Sequence, residues 1–399
     1  MIAVYLSPVY LLLCLYVLYR LLVWLGKSCP YLRKKRIRGP VILLYLLPVF
    51  CILMAFYLKP SPERRILKQL SNIWLGVLLH SLLVMGAAEL IRLILKHSAF
   101  RGREKLFTAR GHGIIGGICI LCICALSIAG VWSANSLQVT EYELYVEKEA
   151  GELEELKIIL AADLHMGYSV GTGQIEQMVE KINEEDADLV VIAGDLFDNE
   201  YEALEDPEAL AEILGRIRSR YGVYACYGNH DIQEKILAGF TFSSNREKAS
   251  DPRMDAFLEK AGIRLLREEG LLIDNAFYLY GRPDAERPGR GIRERKTPAQ
   301  ITEGMDQSKP IIVLDHEPRQ LRELSDAGVD IDLCGHTHDG QTFPGNLIIK
   351  LFWENPCGYL EKDGMHNIVT SGVGVFGPNM RVGTRAEICR IIVHFGSAQ

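Results

Sequence analysis

The chain has no excess of basic charge. Its 399 residues carry 44 Lys and Arg against 50 Asp and Glu, a formal net charge of -6, with an isoelectric point near 6.0. That balance argues against a nucleic-acid partner, which calls for a basic surface. A disulfide framework is also missing. Of ten cysteines, Cys14, Cys51, Cys119, Cys122 and Cys124 lie in apolar runs, and Cys29 sits just beyond one. Cys119 and Cys122 have zinc-like spacing, but no second pair lies near them, so they read as buried thiols. There is no G-x-x-x-x-G-K-[ST] phosphate loop, no Ser nucleophile elbow, no internal repeat and no low-complexity linker.

Apolar residues, in contrast, are abundant, at 49% of the chain, and the mean hydropathy is +0.09. The excess falls before residue 135, in four runs at about Ile2–Leu25, Pro40–Leu58, Ile73–Leu95 and Gly113–Trp132. Each is near the roughly 20 residues that cross a bilayer as a helix. The first lacks the basic start and small-residue cleavage site of a signal peptide. Residues 1–134 are therefore expected to form an all-α transmembrane region, with Pro48 inside the second span. Lys27, Arg33, Lys34, Lys35, Arg36 and Arg38 follow the first span, and Lys96, Arg101, Arg103, Lys105 and Arg110 precede the fourth. After the fourth span no Lys or Arg occurs until Lys148. Positive loops stay cytoplasmic, so a multi-pass membrane protein is expected with residues 135–399 outside the cytoplasm. Lys59, Arg64, Arg65 and Lys68 in the second loop weigh against this without reversing it. Glu89 and Arg92, one helical turn apart in the third span, read as a structural pair, and Arg20 sits near an end of the first.

From about Asn135 the pattern changes to short Val- and Ile-rich runs alternating with amphipathic stretches, the mark of a layered α/β fold. Strands are expected at Leu156–Ala162, Leu189–Ala193, Val223–Tyr227, Ile311–Leu314, Ile331–Cys334, Asn367–Thr370 and Ala386–His394. Helices are expected at Gly173–Glu184, Pro207–Arg220, Asp251–Ala261 and Pro318–Ala327.

Polar clusters close five of these strands: Asp163-Leu164-His165, Gly194-Asp195-Leu196-Phe197-Asp198, Gly228-Asn229-His230-Asp231, Asp315-His316-Glu317 and Gly335-His336-Thr337-His338. Clusters at the carboxyl ends of strands converge in space. Carboxylate, amide and imidazole ligands suit a pair of metal ions, with one carboxylate bridging them. Such a pair acidifies water into a nucleophile at neutral pH and offsets charge on an attacked phosphorus.

In order and spacing the five motifs, over about residues 156–345, resemble the calcineurin-like metallophosphoesterase family, in particular its bacterial membrane or cell-envelope branch related to UDP-diacylglucosamine hydrolase. The resemblance implies a four-layer α/β/β/α sandwich over residues 135–399 and two divalent metal ions (Mn, Zn or Fe). It implies that Asp163, His165 and His338 bind the first ion, that Asp195 bridges, and that Asn229, His316 and His336 complete the second site. It also implies that His230 protonates the leaving-group oxygen and that Asp198 orients His230. Asp339 stands where relatives commonly have glycine. The function implied is hydrolysis of a phosphate monoester, diester or pyrophosphate by a metal-activated hydroxide, on a cell-envelope or lipid-linked substrate. A nuclease, a cyclic-nucleotide phosphodiesterase and a catalytically idle sensor are the alternatives.

Three further stretches bear on the site. Gly372–Gly377 fits a dinucleotide-binding glycine pattern, but Pro378 and Asn379 prevent a following helix, so a tight loop beside the metal cleft is expected. Arg282, Arg287, Arg290, Arg293, Arg295 and Lys296, interleaved with Asp284, Glu286 and Glu294, read either as an anion-attracting loop or as a solvated one. Ile236, Leu237, Phe240 and Phe242 read either as core or as an apolar lip for a lipid tail.

Overall fold

The computed structural model describes residues 2–99, 102–234, 236–237, 240–241, 249–287, 289 and 292–396. The side chains of Ile236, Leu237, Phe240, Phe242 and Arg290 lie outside the described set. The chain forms two compact units. One comprises Met1–Trp132, Ile236–Phe242 and Gly377–Met380, and the other Ser133–Lys235, Ser243–Phe376 and Arg381–Gln399.

The first unit is built on α1 (Ile2–Ser28), α2 (Lys35–Tyr57), α3 (Pro62–His97), the short α4 (Arg103–Leu106) and α5 (Ala109–Ala134). Four stretches, Ser7–Ser28, Lys35–Tyr57, Pro62–His97 and Ala109–Ala134, are long and apolar enough to cross a membrane. Pro48 does not end α2. Ser61 caps α3 by accepting from the Arg64 N–H, with Pro62 in the first turn where a missing N–H costs nothing. Polar side chains stitch the first three helices together. Tyr10 donates to Val49 O at 3.0 Å, Tyr45 to Cys14 O at 2.8 Å, and Trp74 Nε1 to the Tyr10 hydroxyl at 3.0 Å. Glu89 pairs with Arg92 at 3.2 Å and also with Arg20. The expected pair is thus a three-charge cluster joining α1 to α3, and each charge has its partner where water is scarce.

The second unit begins with β1 (Leu137–Val146), β2 (Glu155–Ala161), β3 (Leu189–Ala193) and β4 (Val223–Cys226). The antiparallel pair β5 (Ile236–Leu237) and β6 (Phe240–Thr241) belongs to the first unit. Then follow β7 (Ile263–Leu265), β8 (Glu269–Ile273), β9 (Phe277–Gly281), β10 (Ile311–Leu314), β11 (Ile331–Cys334), β12 (Gly358–Lys362), β13 (Met365–Val369) and β14 (Ala386–Phe395). Two six-stranded sheets result, ordered β1-β14-β2-β3-β4-β7 and β12-β13-β11-β10-β9-β8.

Strand alternation sets the layers. In β2, Ile158 and Leu160 share one buried cluster with Leu279 of β9, with Ile312 and Leu314 of β10 and with Leu333 of β11, which is the core between the sheets. Ile159 and Ala161 instead join Ile175, Met178 and Ile182 of α6 (Thr172–Glu184) and Leu210 and Leu214 of α7 (Pro207–Leu214). Across the second sheet, Ile311 and Val313 pack with Ile301 of α9 (Pro298–Thr302) and with Leu321 and Leu324 of α10 (Leu321–Asp326). The unit is therefore an α/β/β/α sandwich, completed by α8 (Pro252–Lys260) on the outer face of the first sheet.

Two helices are shorter than their periodicity predicts. The helix expected over Pro207–Arg220 stops at Leu214, where Gly215 caps it. The helix expected over Pro318–Ala327 starts only at Leu321, because Gln320 is left-handed at φ 59° and its side chain accepts from Arg282 at 2.8 Å.

Candidate active site

All five polar loops leave the carboxyl ends of parallel strands: β2, β3 and β4 in one sheet, β10 and β11 in the other. Sharp turns aim the side chains inward. Asp163, His165, Asp195, His336 and His338 have φ of 52°, 46°, 51°, 73° and 51°, a backbone region that non-glycine residues adopt at a cost and that concentrates at functional sites. Backbone contacts support the strain. The Asp163 N–H donates to Gly194 O at 3.0 Å and the His165 N–H to Asp195 O at 2.9 Å.

The side chains gather in two adjoining groups. His165 Nε2 lies 3.0 Å from His338 Nε2, which is 3.8 Å from Asp163 Oδ1. In the second group, Asn229 Oδ1 lies 2.9 Å from His336 Nδ1 and 3.1 Å from His316 Nε2, and the two ring nitrogens are 3.1 Å apart. Asp195 stands between them, with Oδ2 3.2 Å from His316 Nε2 and 3.8 Å from His165 Nε2. Its Oδ1 accepts the His230 N–H at 2.7 Å.

Protonation follows from burial. Desolvation drives His165 and His336 down to about 3 and His338 well below its ordinary value, so these rings are neutral and carry a lone pair. Against burial, His316 and His230 hold the Asp195 carboxyl well below the usual range, and Asp195 in turn raises His316. His316 Nδ1 lies 2.8 Å from Ala193 O, an acceptor, so that nitrogen carries a hydrogen and Nε2 faces the cluster. Asn229 Oδ1, His336 Nδ1 and His316 Nε2 thus lie within 3.1 Å of one another, an arrangement that a cation would satisfy in place of the proton on His316. The groups Asp163–His165–His338 and Asp195–His316–His336 each have ligand atoms within 4.8 Å of one another. The donor set fits divalent metal.

His230 is held by a residue the sequence did not single out. Its Nδ1 lies 2.5 Å from Asn199 Oδ1, while Asn199 Nδ2 donates to Ile232 O at 2.9 Å and fixes which way the amide points. Asp198 adjoins the same place, with its carboxylate, His230 and His165 within 4.8 Å of one another. Arg381 is the other residue missed. Buried, it donates to the carbonyls of Ser371, Gly372 and Gly374 at 2.6, 3.1 and 2.7 Å, and to His338 O at 3.4 Å. Desolvation pulls its pKa to about 10. It pins the glycine loop against Asp163: the Gly374 N–H donates to Asp163 O at 2.8 Å.

In the arginine-rich stretch Arg293 and Lys296 are exposed, while Arg282, Arg287 and Arg295 are drawn into the fold. Arg282 and Arg295 grip the buried Asp315 at 2.7 and 3.0 Å, directly behind His316, and Arg287 donates to Asn229 O at 2.9 Å. Their charge is consumed in bracing two site loops. Asp339, left-handed at φ 51°, follows His338, and its carboxyl is raised by half-burial.

Residues 156–340 match the calcineurin-like phosphoesterase family. A zebrafish (Danio rerio) transmembrane protein with metallophosphoesterase domain is 31% identical over 88% of this chain and 79% of its own length. An uncharacterized metallophosphoesterase of Aquifex aeolicus is 32% identical over 60% of this chain and 88% of its own. The UDP-2,3-diacylglucosamine pyrophosphatase LpxG of Chlamydia trachomatis is 24% identical over 55% and 75%. The first of these carries the likeness through the apolar helices as well as the sandwich, and with it this membrane protein belongs to the calcineurin-like phosphoesterase family as a metal-dependent phosphoester hydrolase.

Proposed function

We propose that residues 135–399 hydrolyse a phosphate ester or pyrophosphate of a cell-envelope or lipid-linked substrate, outside the cytoplasm, with residues 1–134 as the membrane region. In this reading Asp163, His165 and His338 hold one divalent ion, Asn229, His316 and His336 hold a second, and Asp195 bridges. The observation that carries it is Asp195 Oδ2, which addresses His165 on one side and His316 on the other. When bound, the ions supply a nucleophile from water at neutral pH and offset phosphoryl charge.

The chain's own residues do the rest. The amide of Asn199 accepts the Nδ1 hydrogen of His230, so the doubly protonated ring gives its Nε2 proton to the departing oxygen and is left as the Nδ1–H form that Asn199 holds. The His230 main chain is fixed at the same time by Asp195, so the proton donor and the bridging carboxylate move as one piece. Phe376 packs its ring against His230 at 4.8 Å and excludes water from one side. A lipid-linked substrate is supported by the spanning helices and by the acylated sugar nucleotide in the name of the Chlamydia relative.

Metal analysis of the detergent-solubilised full chain, combined with a panel of aryl phosphates, phosphodiesters, pyrophosphates and phospholipids, tests the proposal. Near two ions per chain are expected, with hydrolysis abolished by chelation and by Asn229→Ala. Activity that survives both treatments defeats it.

A further inference from the structure

One feature lies outside the five loops. Phe343, Leu347, Ile348, Leu351 and Phe352 are 45%, 55%, 49%, 81% and 74% exposed. Leu347 and Ile348 lie on α11 (Gly345–Ile348) and Leu351 on the 3-10 turn Ile349–Leu351 that follows it, with Phe343 and Phe352 flanking the two. From Leu137 onward, only Tyr145, Leu272 and Tyr359 are comparably exposed large hydrophobics among the described residues. Five of eight thus fall within ten consecutive positions. Single exposed hydrophobics are ordinary, but a contiguous patch marks an interaction surface.

The patch is rigidly held and grows out of the site. The Gly345 N–H donates to Thr342 O at 2.7 Å and the Phe343 N–H to Val382 O at 2.8 Å. At Gly340 a Cβ would stand 2.2 Å from the Gly345 carbonyl carbon, so the chain crosses itself closely there. At the far end Trp353 packs edge-on against His336, ring centroids 5.2 Å apart, and the Arg319 guanidinium lies over the Trp353 ring, 4.6 Å from its centre.

Charge and connectivity identify the occupant. No Asp or Glu occurs from Phe343 to Trp353, while Lys350 sits at the centre of the exposed run. The acid that follows, Glu354, is paired with Lys362 at 2.6 Å. Aromatic and aliphatic side chains with an interleaved cation fit an anionic lipid surface. That surface is at hand, because only Asn135 and Ser136 separate the spanning helix α5 from β1, roughly 10 Å of extended chain.

We propose that Phe343–Phe352 is an interfacial anchor. Its apolar side chains enter the boundary between headgroups and acyl chains, Lys350 meets anionic headgroups, and the His336–His338 loop is held at the depth of a lipid's phosphoester. The proposal deepens the lipid-linked reading above and rests on it for the identity of the site.

The test uses the full chain, one per nanodisc, in phosphatidylcholine–phosphatidylglycerol bilayers with or without acyl chains brominated near the headgroup. The difference in emission between the native chain and Trp353→Phe reports Trp353 alone, and brominated lipid is expected to reduce it about twofold. In the Leu351→Gln/Phe352→Gln variant, the KM for a phosphoester lipid in the same disc is expected to rise about tenfold. Its kcat on a water-soluble aryl phosphate ester and its metal content are expected to stay at native levels. An unquenched Trp353, or an unchanged KM in the double variant, overturns the anchor. A protein partner or a second copy as the true occupant gives the first of those results. If the metal-loaded native chain cleaves no phosphoester, soluble or embedded, the functional reading falls. Quenching of Trp353 then still supports the anchor, and its absence still overturns it.

Discussion

At the residue scale, the contact that sets the proton donor apart is the 2.5 Å approach of Asn199 Oδ1 to His230 Nδ1. An amide oxygen only accepts, so it selects the ring form with hydrogen on Nδ1, and the neighbouring bond to Ile232 O prevents the amide from flipping. Asn199→Ala removes both bonds. We expect kcat to fall by about ten- to hundredfold while bound metal stays constant, since Asn199 lies in neither ligand group. Asn199→Asp restores an acceptor and should recover most of the rate. Equal losses in the two variants, with metal intact, would refute a positioning role. The sequence could not show this. Asp198 carries the recognisable spacing, and nothing distinguishes its neighbour until the chain is folded and Asn199 is found fully buried with both ends of its amide used. The same holds for Arg381, forty-three residues beyond the histidine whose carbonyl it meets. The five motifs are legible because each begins one or two residues beyond a short, largely buried strand.

At the scale of elements, legibility followed burial. Strands buried on both faces, such as Leu189–Ala193 and Ile311–Leu314, are continuous apolar runs whose ends are plain in the sequence. β1 is hidden in the sequence, because its Thr140-Glu141-Tyr142-Glu143 stretch is half exposed at a sheet edge and its apolar positions alternate weakly. The glycine loop after β13 illustrates how an element without regular structure still sets the site. Gly372 has φ 81°, and a Cβ there would stand 2.7 Å from Asp163 Cβ and 2.8 Å from its Oδ2. Gly372→Ala must therefore displace Asp163 or the loop, and we expect affinity for one of the ions to fall about tenfold. Gly364→Ala is the matched control. Its φ is 88° but its Cβ would meet nothing within 4 Å, so it adds only backbone strain of about 1 kcal/mol. Metal titration of both variants separates the two effects. Equal affinity in both would mean that the close approach to Asp163 does not matter.

At the scale of the whole molecule, the direction of the membrane region depends on how many positive charges each loop exposes. Six Lys and Arg follow the first span and five precede the fourth, against none between Trp132 and Lys148. The second loop carries four, which oppose that bias. The structure places Arg64, Arg65 and Lys68 within α3, whose 36 residues extend about 54 Å, well beyond a hydrocarbon core of about 30 Å. Arg64 is also 4% exposed, its Nε donating to Ala55 O at 3.0 Å. A charge engaged in helix packing contributes less to orientation than a free one, so the second loop opposes the inward loops more weakly than its composition suggests. We therefore expect protease added to intact cells, or to right-side-out vesicles, to cleave within residues 135–399 and leave the loop at Lys27–Arg38 protected. Replacing Lys34, Lys35, Arg36 and Arg38 with Gln should weaken the bias and give a mixed population in the same assay. Protection of the catalytic unit in intact cells, with cleavage only in inverted vesicles, would place the site in the cytoplasm. The phosphoester chemistry would stand, but its substrate would then have to be sought on the inner leaflet.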